Sequence, residues 1–250
     1  MNLELLSQPT GHNMKVMAER LNHIIDKLDT STIKTILEIG SLDAWESVNM
    51  ARVFTDATLY TFEPVPYNAA QCRKNIAAHP EVASRIHLQE MAMNNVTGPM
   101  TFWALDVEEA SRHKFRVNHG IGSKFKLMNP DMWSHEHNRQ KEITVQGYRL
   151  EDWCKNNAVS KVDAIWMDAQ GAELDILMGA GDILNDVQFI ITEAGLKPYY
   201  EGHTMKTDID SYLNSRGFAE YFPARHISHE YECDTIYLNV KHINVEIADA

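Results

Sequence analysis

The stretch WMDAQGAELDIL, residues 166–177, places three acidic side chains around Gly171 directly after a short apolar run. The run over residues 162–167 is typical of a buried strand, and the apolar spacing after the glycine predicts a helix over residues 172–184. A short apolar strand that passes at once into a helix is typical of βαβ units, whose strands pair in parallel. The stretch therefore predicts an α/β fold with a parallel sheet.

The rest of the chain repeats this alternation on both sides of the stretch. Further apolar runs predict strands over residues 33–39, 58–62, 86–89 and 189–192. Helical spacing of apolar residues predicts helices over residues 12–28, 43–54, 67–78 and 205–216. Near the C-terminus, two strand-like segments follow each other at 218–222 and 235–240. We therefore expect a doubly wound, mostly parallel sheet with an antiparallel C-terminal strand pair at its edge.

The composition limits the classes of partner. The 250 residues include 23 Lys and Arg against 35 Asp and Glu, a formal net charge of −12. Nucleic acids and anionic membranes usually require a basic face, so neither is an expected partner. No apolar run approaches the ~20 residues that span a bilayer, and no signal peptide is recognisable. Three scattered cysteines are typical of a reducing compartment, so we expect a cytoplasmic protein without membrane insertion.

Two predicted strand ends indicate which nucleotide the sheet binds. After the first strand, a GxGxxG fingerprint starting at Gly40 would need glycines at the positions of Leu42 and Trp45. A dinucleotide-dependent oxidoreductase is therefore a weak alternative. Glu63 ends the second strand, 23 residues after Gly40, where a carboxylate can accept hydrogen bonds from both ribose hydroxyls. The alternative for Glu63 is a capping role at the helix that follows.

The charges at these strand ends favour a nucleoside ligand that carries a cationic centre and no phosphate. Glu38, Asp43 and Glu63 would repel phosphates, but they suit a sulfonium and an amino group. S-adenosylmethionine has both groups, whereas NAD and ATP carry phosphates. We therefore expect S-adenosylmethionine as the cofactor.

Four blocks of the sequence resemble the FkbM family of S-adenosylmethionine-dependent methyltransferases. They are LEIGSLDA (37–44), YTFEPVPYNAAQCRKN (60–75), VDAIWMDAQGAELDILMGA (162–180) and FIITEAG (189–195). The resemblance covers about residues 33–240 and implies a Rossmann-like class I methyltransferase sheet. With it, the chain divides into an N-terminal helical extension, 1–30, and a methyltransferase domain, 31–250. A polar, lid-like segment at about 105–142 interrupts this domain, between strand-like residues 101–104 and 143–146.

The resemblance also implies which residues bind the cofactor. Contacts after the first strand would come from Glu38, Gly40, Ser41, Asp43 and Ala44. Glu63 with Pro64 would bind the ribose, Met91 with Ala92 would flank the adenine, and Asp168 would lie beside the methionine moiety or the reacting centre. Two residues depart from the family pattern. Ala44 replaces a usual glycine, and Gln170 stands where the family commonly has Glu.

The acidic residues of the opening stretch divide into different roles. Glu173 lies in the first turn of the predicted helix, where a negative charge is favoured, so we interpret it as a cap. Asp175 is expected to be a solvated helix residue. Asp168 and Glu193 end neighbouring strands, where two carboxylates can share a proton. This pair could take a proton from a substrate hydroxyl, bind a divalent cation, or simply bond loop backbone.

Residues 112–130 reverse the charge of the chain locally, with five basic residues, two histidines and no carboxylate. This segment could receive an acidic or phosphorylated substrate, act as a lid, or be a solvated loop. Two histidines in predicted loops beside the crevice, His119 and His203, are weaker candidates for the general base.

The function that follows is O-methylation of a hydroxyl on a small molecule or sugar. The resemblance implies the methyl transfer, and Asp168, Glu193 or a nearby histidine would remove the hydroxyl proton. The rival hypothesis is a non-catalytic protein that keeps the fold and binds the cofactor or a partner, and Ala44 and Gln170 are the residues that favour it. No feature of the sequence specifies an oligomeric state.

Overall fold

The main sheet follows the predicted alternation. The computed structural model describes residues 14–25, 27–108, 120–128, 139–221, 226–229 and 231–243. Its strands are β1 (Thr35–Ile39), β2 (Thr58–Phe62), β3 (Ile86–Gln89), β4 (Ala92–Asn94), β5 (Gly98–Leu105), β6 (Gln140–Arg149), β7 (Ala164–Met167), β8 (Phe189–Gly195), β9 (Phe218–Glu220), β10 (His226–His229) and β11 (Glu232–Asn239). Its helices are α1 (Met14–Ile25), α2 (Trp45–Val53), α3 (Pro66–Ala77), α4 (Pro80–Ala83), α5 (Leu150–Asn156), α6 (Glu173–Ala180) and α7 (Lys206–Ser215), with 3-10 turns at Thr30–Thr32 and Gly181–Asn185.

The strand order shows a doubly wound sheet. β3, β2, β1, β7 and β8 pair in parallel in that order, and β11 pairs antiparallel with β8. β9 and β10 both pair antiparallel with β11, so the predicted C-terminal pair is confirmed and β10 is an addition to it. The order reverses between β1 and β7. Ligands bind outside the carboxyl ends of the strands at such a switch point.

Helices cover both faces of this sheet, which explains why the central strand β7 is apolar throughout. One core contains Trp153 of α5, Leu177 of α6 and Leu213 of α7. The other contains residues of α2 and α4 together with the fully buried Leu21 and Ile24 of α1. Helix α1 is therefore packed into the core of the main sheet. Within the described ranges, no helix has the length and apolar character needed to cross a bilayer.

The segment around the predicted lid contains a second, three-stranded sheet. β6 pairs antiparallel with β5 and parallel with β4. The two long strands extend beyond the predicted 101–104 and 143–146, because their alternating exposed and buried residues give no continuous apolar run. Phe102 and Val145 on their buried face pack with Val65 and Ala92. Most of the predicted lid lies outside the described residues, so its closure over the cofactor stays a prediction.

Candidate active site

The carboxyl ends of β1, β2, β7 and β8 surround a cavity of about 260 Å³, called here the front cavity. The second sheet closes it on one side through β4 and β5. Seven of the predicted site residues lie at its wall: Gly40, Glu63, Pro64, Met91, Ala92, Asp168 and Glu193. The apolar part of the wall includes Met93, Phe102 and Ile121. A concave site with an apolar body and a few convergent polar groups is typical of a small-molecule site.

Gly40 allows the ends of two central strands to meet. It has a φ of +83°, and a Cβ atom there would lie 1.7 Å from the backbone oxygen of Asp168. Only glycine has neither the conformational restriction nor the side chain that would prevent this approach. The glycine after β1 is therefore required by the contact with β7, which brings Asp168 to the cavity.

Glu63 lines the front cavity and also bonds the segment that leads into α3. Its Oε2 accepts a hydrogen bond from the backbone N–H of Leu42 at 2.9 Å, and its Oε1 accepts one from Val65 at 2.8 Å. It thereby joins the loop after β1 to the start of α3 while lining the front cavity. Burial raises the pKa of Glu63 to about 7, although the backbone hydrogen bonds oppose this rise.

Four residues implied as cofactor contacts do not reach the cavity wall: Glu38, Ser41, Asp43 and Ala44. Glu38 is buried and accepts a hydrogen bond from Ser47 of α2. The Asp43 side chain accepts from the backbone N–H of Trp45 at 3.2 Å, and Ser41 Oγ lies 3.3 Å from the sulfur of Cys72. These side chains shape the turn and position α2. Ala44 has a φ of +63°, which explains why a glycine is usual there.

The two histidine candidates differ in what the structure describes of them. His119 lies outside the described residues. His203 packs behind the cavity, where its ring lies against Gly171 and Gly195, and its Nδ1 accepts a hydrogen bond from the backbone N–H of Tyr199 at 3.2 Å. Burial lowers the pKa of His203 to about 4, so the ring is neutral at pH 7. His203 does not line the front cavity, so the structure adds no support for a general-base role, which stays a prediction.

Gln170 joins the carboxylates at the ends of β7 and β8. Its Nε2 donates to Asp168 Oδ1 at 2.7 Å and to Glu193 Oε2 at 2.9 Å. Its Oε1 accepts from the hydroxyl of Tyr200 at 2.7 Å. The structure thus brings Asp168 and Glu193 together, as expected for neighbouring strand ends, and adds two residues to them. Tyr200 was missed because a loop residue belongs to no periodic pattern. The one available signal was the Tyr199-Tyr200 pair just beyond the strand that carries Glu193.

Burial makes it unfavourable to ionise both carboxylates of this network. Desolvation raises the pKa of Asp168, and it raises the pKa of Glu193 well above its usual range. The negative charge of Asp168 raises the pKa of Glu193 further. Two close carboxylates then retain one proton between them, and Asp168 is the member that ionises more readily.

The same geometry does not fit a divalent cation. The group between Asp168 and Glu193 is the N–H₂ of Gln170, a donor, whereas Mg²⁺ and Ca²⁺ require oxygen ligands. Across the described parts of the chain, no group of three or more His, Cys, Asp or Glu side chains could hold a metal ion.

The other acids of the opening stretch are Glu173 and Asp175. Glu173 is buried, and its Oε1 accepts from the backbone N–H groups of Ala169 at 2.9 Å and Gly171 at 3.1 Å. Its predicted place in the first turn of α6 is confirmed, but its carboxylate bonds the loop that carries Gln170 and not the N–H groups of the helix. The prediction that Asp175 is solvated is wrong, because it forms an ion pair with Lys124 and only 24% of its side chain is exposed.

Glu173→Gln is expected to keep or raise the free energy of unfolding at pH 8, whereas Glu173→Ala should lower it by about 1–3 kcal/mol. The amide oxygen of Gln still accepts both N–H groups, but Ala leaves them without an acceptor. Burial raises the pKa of Glu173 to about 7, so its stabilising contribution is complete below the unfolded pKa and is lost as the pH rises through 7. Urea unfolding at pH 5.5 and 8 tests this. Equal destabilisation by Gln and Ala would contradict it.

Comparison with known proteins gives the family. Residues 38–219 match the family described as the methyltransferase FkbM domain. Among curated proteins, 2-O-methyltransferase NoeI of Sinorhizobium fredii is 29% identical over 188 residues, 75% of this chain and 74% of that protein. Precorrin-6y C5,15-methyltransferase from Geobacter metallireducens aligns with a TM-score of 0.47 and 11% identity, over 93% of this chain and 92% of that chain. A SAM dependent methyltransferase from Aquifex aeolicus aligns with a TM-score of 0.47 and 9% identity, over 95% of this chain and 97% of that chain.

The family match extends over more than half of the chain. It includes the residues that the strand ends bring to the front cavity, among them Gly40, Glu63, Asp168 and Glu193. It also sets aside the dinucleotide-dependent oxidoreductase, which the missing glycines already disfavoured. The chain therefore belongs to the FkbM family of methyltransferases and is an S-adenosylmethionine-dependent enzyme.

Proposed function

We propose that the protein methylates a hydroxyl oxygen of a small molecule or sugar and that Asp168 is the general base. The observation that carries this proposal is the Asp168–Gln170–Glu193 network at the wall of the front cavity. A base must lie within hydrogen-bond reach of the proton that it removes, and Asp168 is the more readily ionised carboxylate of the pair. The curated relative, a 2-O-methyltransferase, supports oxygen as the acceptor atom.

The front cavity has polar and apolar groups that suit the parts of the cofactor. Glu63 would hold the ribose, because its carboxylate lines the front cavity at the end of β2, where an acidic residue can accept from ribose hydroxyls. Met91 and Ala92, with apolar neighbours, would flank the adenine. The carboxylates of Asp168 and Glu193 suit a positive sulfonium nearby.

The protein's own part in catalysis is positioning and proton removal. When bound, S-adenosylmethionine would supply a methyl group from a positively charged sulfur, which would keep the electron pair of the broken carbon–sulfur bond. Asp168 accepts the hydroxyl proton as the acceptor oxygen forms its new bond to carbon. Gln170 donates to Asp168 and is itself held by Tyr200. Asp168 is therefore already oriented before the reaction, which lowers the activation free energy.

The described part of the wall favours an uncharged acceptor over a phosphorylated one. Its carboxylates include Glu63, Asp168, Glu193 and Glu232, whereas its cation, Lys124, is paired with Asp175. An acidic or phosphorylated acceptor would need the basic residues of 112–119, which lie outside the described residues. A cytoplasmic location also stays a prediction, supported by the scattered cysteines.

Thermal unfolding with S-adenosylmethionine, S-adenosylhomocysteine and NAD tests cofactor binding. A ligand at 100 times its Kd stabilises by about 2.7 kcal/mol, a rise of roughly 5–11 °C in Tm for a chain of this size. We expect this rise with the first two ligands and none with NAD.

Transfer of labelled methyl groups to a panel of acceptors then tests the reaction. The panel pairs neutral sugars with the same sugars as phosphates, and it includes amines. Methylation of a neutral hydroxyl compound is the expected result. Cofactor binding without transfer to any acceptor would favour the non-catalytic alternative, and transfer to amines alone would refute O-methylation.

A further inference from the structure

A second cavity lies behind the carboxylate pair, on the face of the sheet that α1 covers. This back cavity has a volume of about 200 Å³. Asp168 and Glu193 line both cavities and therefore stand between them. The rest of the back cavity wall consists of Arg20, Glu46, Trp166, Met167, Ile191 and Asp234. Charged residues therefore face Asp168 and Glu193 from both cavities, whereas the proposed reaction takes place in the front cavity.

Arg20 of α1 is held firmly in this back cavity. Its guanidinium forms an ion pair with Asp234 of β11 and lies 5.5 Å from the ring centre of Trp166. The side chains of Arg20 and Asp234 are only 13% and 17% exposed. Trp166 precedes Asp168 by two residues, and Asp234 is the direct ladder partner of Glu193. The arginine therefore lies beside the same face of the sheet as both carboxylates.

Most of the other charges that face the pair are negative. They are carboxylates from four elements: Glu46 of α2, Glu173 of α6, Glu232 and Asp234 of β11, and Glu63 after β2. Tyr200 and Gln170 face the pair as neutral groups. On the front side, Lys124 is paired with Asp175. Among the described residues that line the back cavity, Arg20 supplies the positive charge.

We propose that Arg20 is a positioning residue, which keeps Asp168 ionised while Glu193 holds the shared proton. This inference rests on the proposed function, since it explains how Asp168 can be a base in an acidic, buried site. Without a nearby cation, each of the surrounding carboxylates would favour a second proton on the pair. Burial raises the pKa of Asp168, the hydrogen bonds with Gln170 and Glu193 oppose this rise, and the positive charge of Arg20 opposes it further. Because Arg20 precedes the family match over residues 38–219, this role belongs to the N-terminal helix of this chain.

Opposite charge changes at Arg20 and Asp234 test the proposal. Arg20→Met removes the positive charge with a side chain of similar length, and Asp234→Asn removes the negative charge beside it. Carbon-13 NMR of the Asp and Glu carboxyl carbons, with Asp168→Asn and Glu193→Gln used for assignment, reports the titration directly and needs no acceptor. We expect the Asp168 midpoint to move by about one pH unit to higher pH in Arg20→Met and to lower pH in Asp234→Asn. Arg20→Lys should resemble the native protein.

The outcomes separate this inference from a merely structural role. A folded Arg20→Met variant with an unmoved Asp168 midpoint would overturn it, and so would shifts of the same sign in Arg20→Met and Asp234→Asn. The double variant should return the midpoint close to its native position, because the two charge changes cancel. Failure to find methyl transfer to any hydroxyl would refute the proposed function and leave the titration result intact. Once an acceptor is known, Arg20→Met should lower kcat near pH 7 with little change in the KM of the acceptor.

Discussion

Asp168→Asn is expected to lower kcat by about 10²- to 10⁴-fold, the usual contribution of a general base, while the protein stays folded. Asn has the same shape as Asp and can still accept the hydrogen bond from Gln170, so the loop after β7 should keep its conformation. It cannot accept the hydroxyl proton at neutral pH. Transfer of labelled methyl groups to the acceptor found in the panel measures the rate, and the midpoint of thermal unfolding reports the fold.

Glu173→Gln is the matched control for this substitution. It also changes a buried carboxylate of the same loop to its amide, but Glu173 bonds only backbone in this structure and does not line the front cavity. Its kcat should therefore fall far less than that of Asp168→Asn. Near-native turnover in Asp168→Asn would show that Asp168 is not the base, and Glu193→Gln would then be the next variant to measure.

Glu63→Ala is expected to weaken the binding of S-adenosylhomocysteine by more than tenfold. A carboxylate that accepts two ribose hydroxyls makes strong, charge-assisted hydrogen bonds, and Ala makes none. The substitution also leaves the N–H groups of Leu42 and Val65 without their acceptor, so it should lower stability as well. Isothermal titration calorimetry at a temperature well below the unfolding midpoint separates the two effects. An unchanged Kd would remove Glu63 from the cofactor site.

The pH dependence of binding gives a second, independent measure of Glu63. Its pKa is raised to about 7, so the carboxyl gains a proton as the pH falls below 7 and loses its charge as an acceptor. Between pH 8 and pH 6 the native protein should therefore lose about tenfold in affinity for S-adenosylhomocysteine. In Glu63→Ala this dependence should be much weaker, because the remaining titration belongs to other groups. A parallel pH profile in both proteins would contradict this account of Glu63.

Gln170 departs from the family pattern in the sequence, but in the structure it forms hydrogen bonds with three residues of the site. The sequence indicated only a lost negative charge beside Asp168. The structure places its amide between two carboxylates and the hydroxyl of Tyr200, where a third carboxylate would repel both neighbours. The feature that favoured a non-catalytic protein thus becomes part of the proposed catalytic network.

The strands of the main sheet were predictable because each one is visible in the residue pattern of its own short segment. Strand β7 is buried on both faces and gives a continuous apolar run. The bounds of β2 and β3 were predicted to the residue. β5 and β6 were predicted too short, because strands with one exposed face alternate in polarity. The four-residue strand β10 was missed at the edge of the sheet, where short strands have a weak pattern.

The sequence by itself determined that the main sheet is mostly parallel and that a glycine follows β1. It also determined that Asp168 and Glu193 meet at neighbouring strand ends. Only the tertiary structure decided that Glu38 is buried under α2, that Asp175 pairs with Lys124, and that His203 lies outside the cavity. It also brought Arg20 to the back of the carboxylate pair. Periodicity records which face of one element is buried. It carries no information about which distant side chain meets that face, because such contacts form only when whole elements pack together.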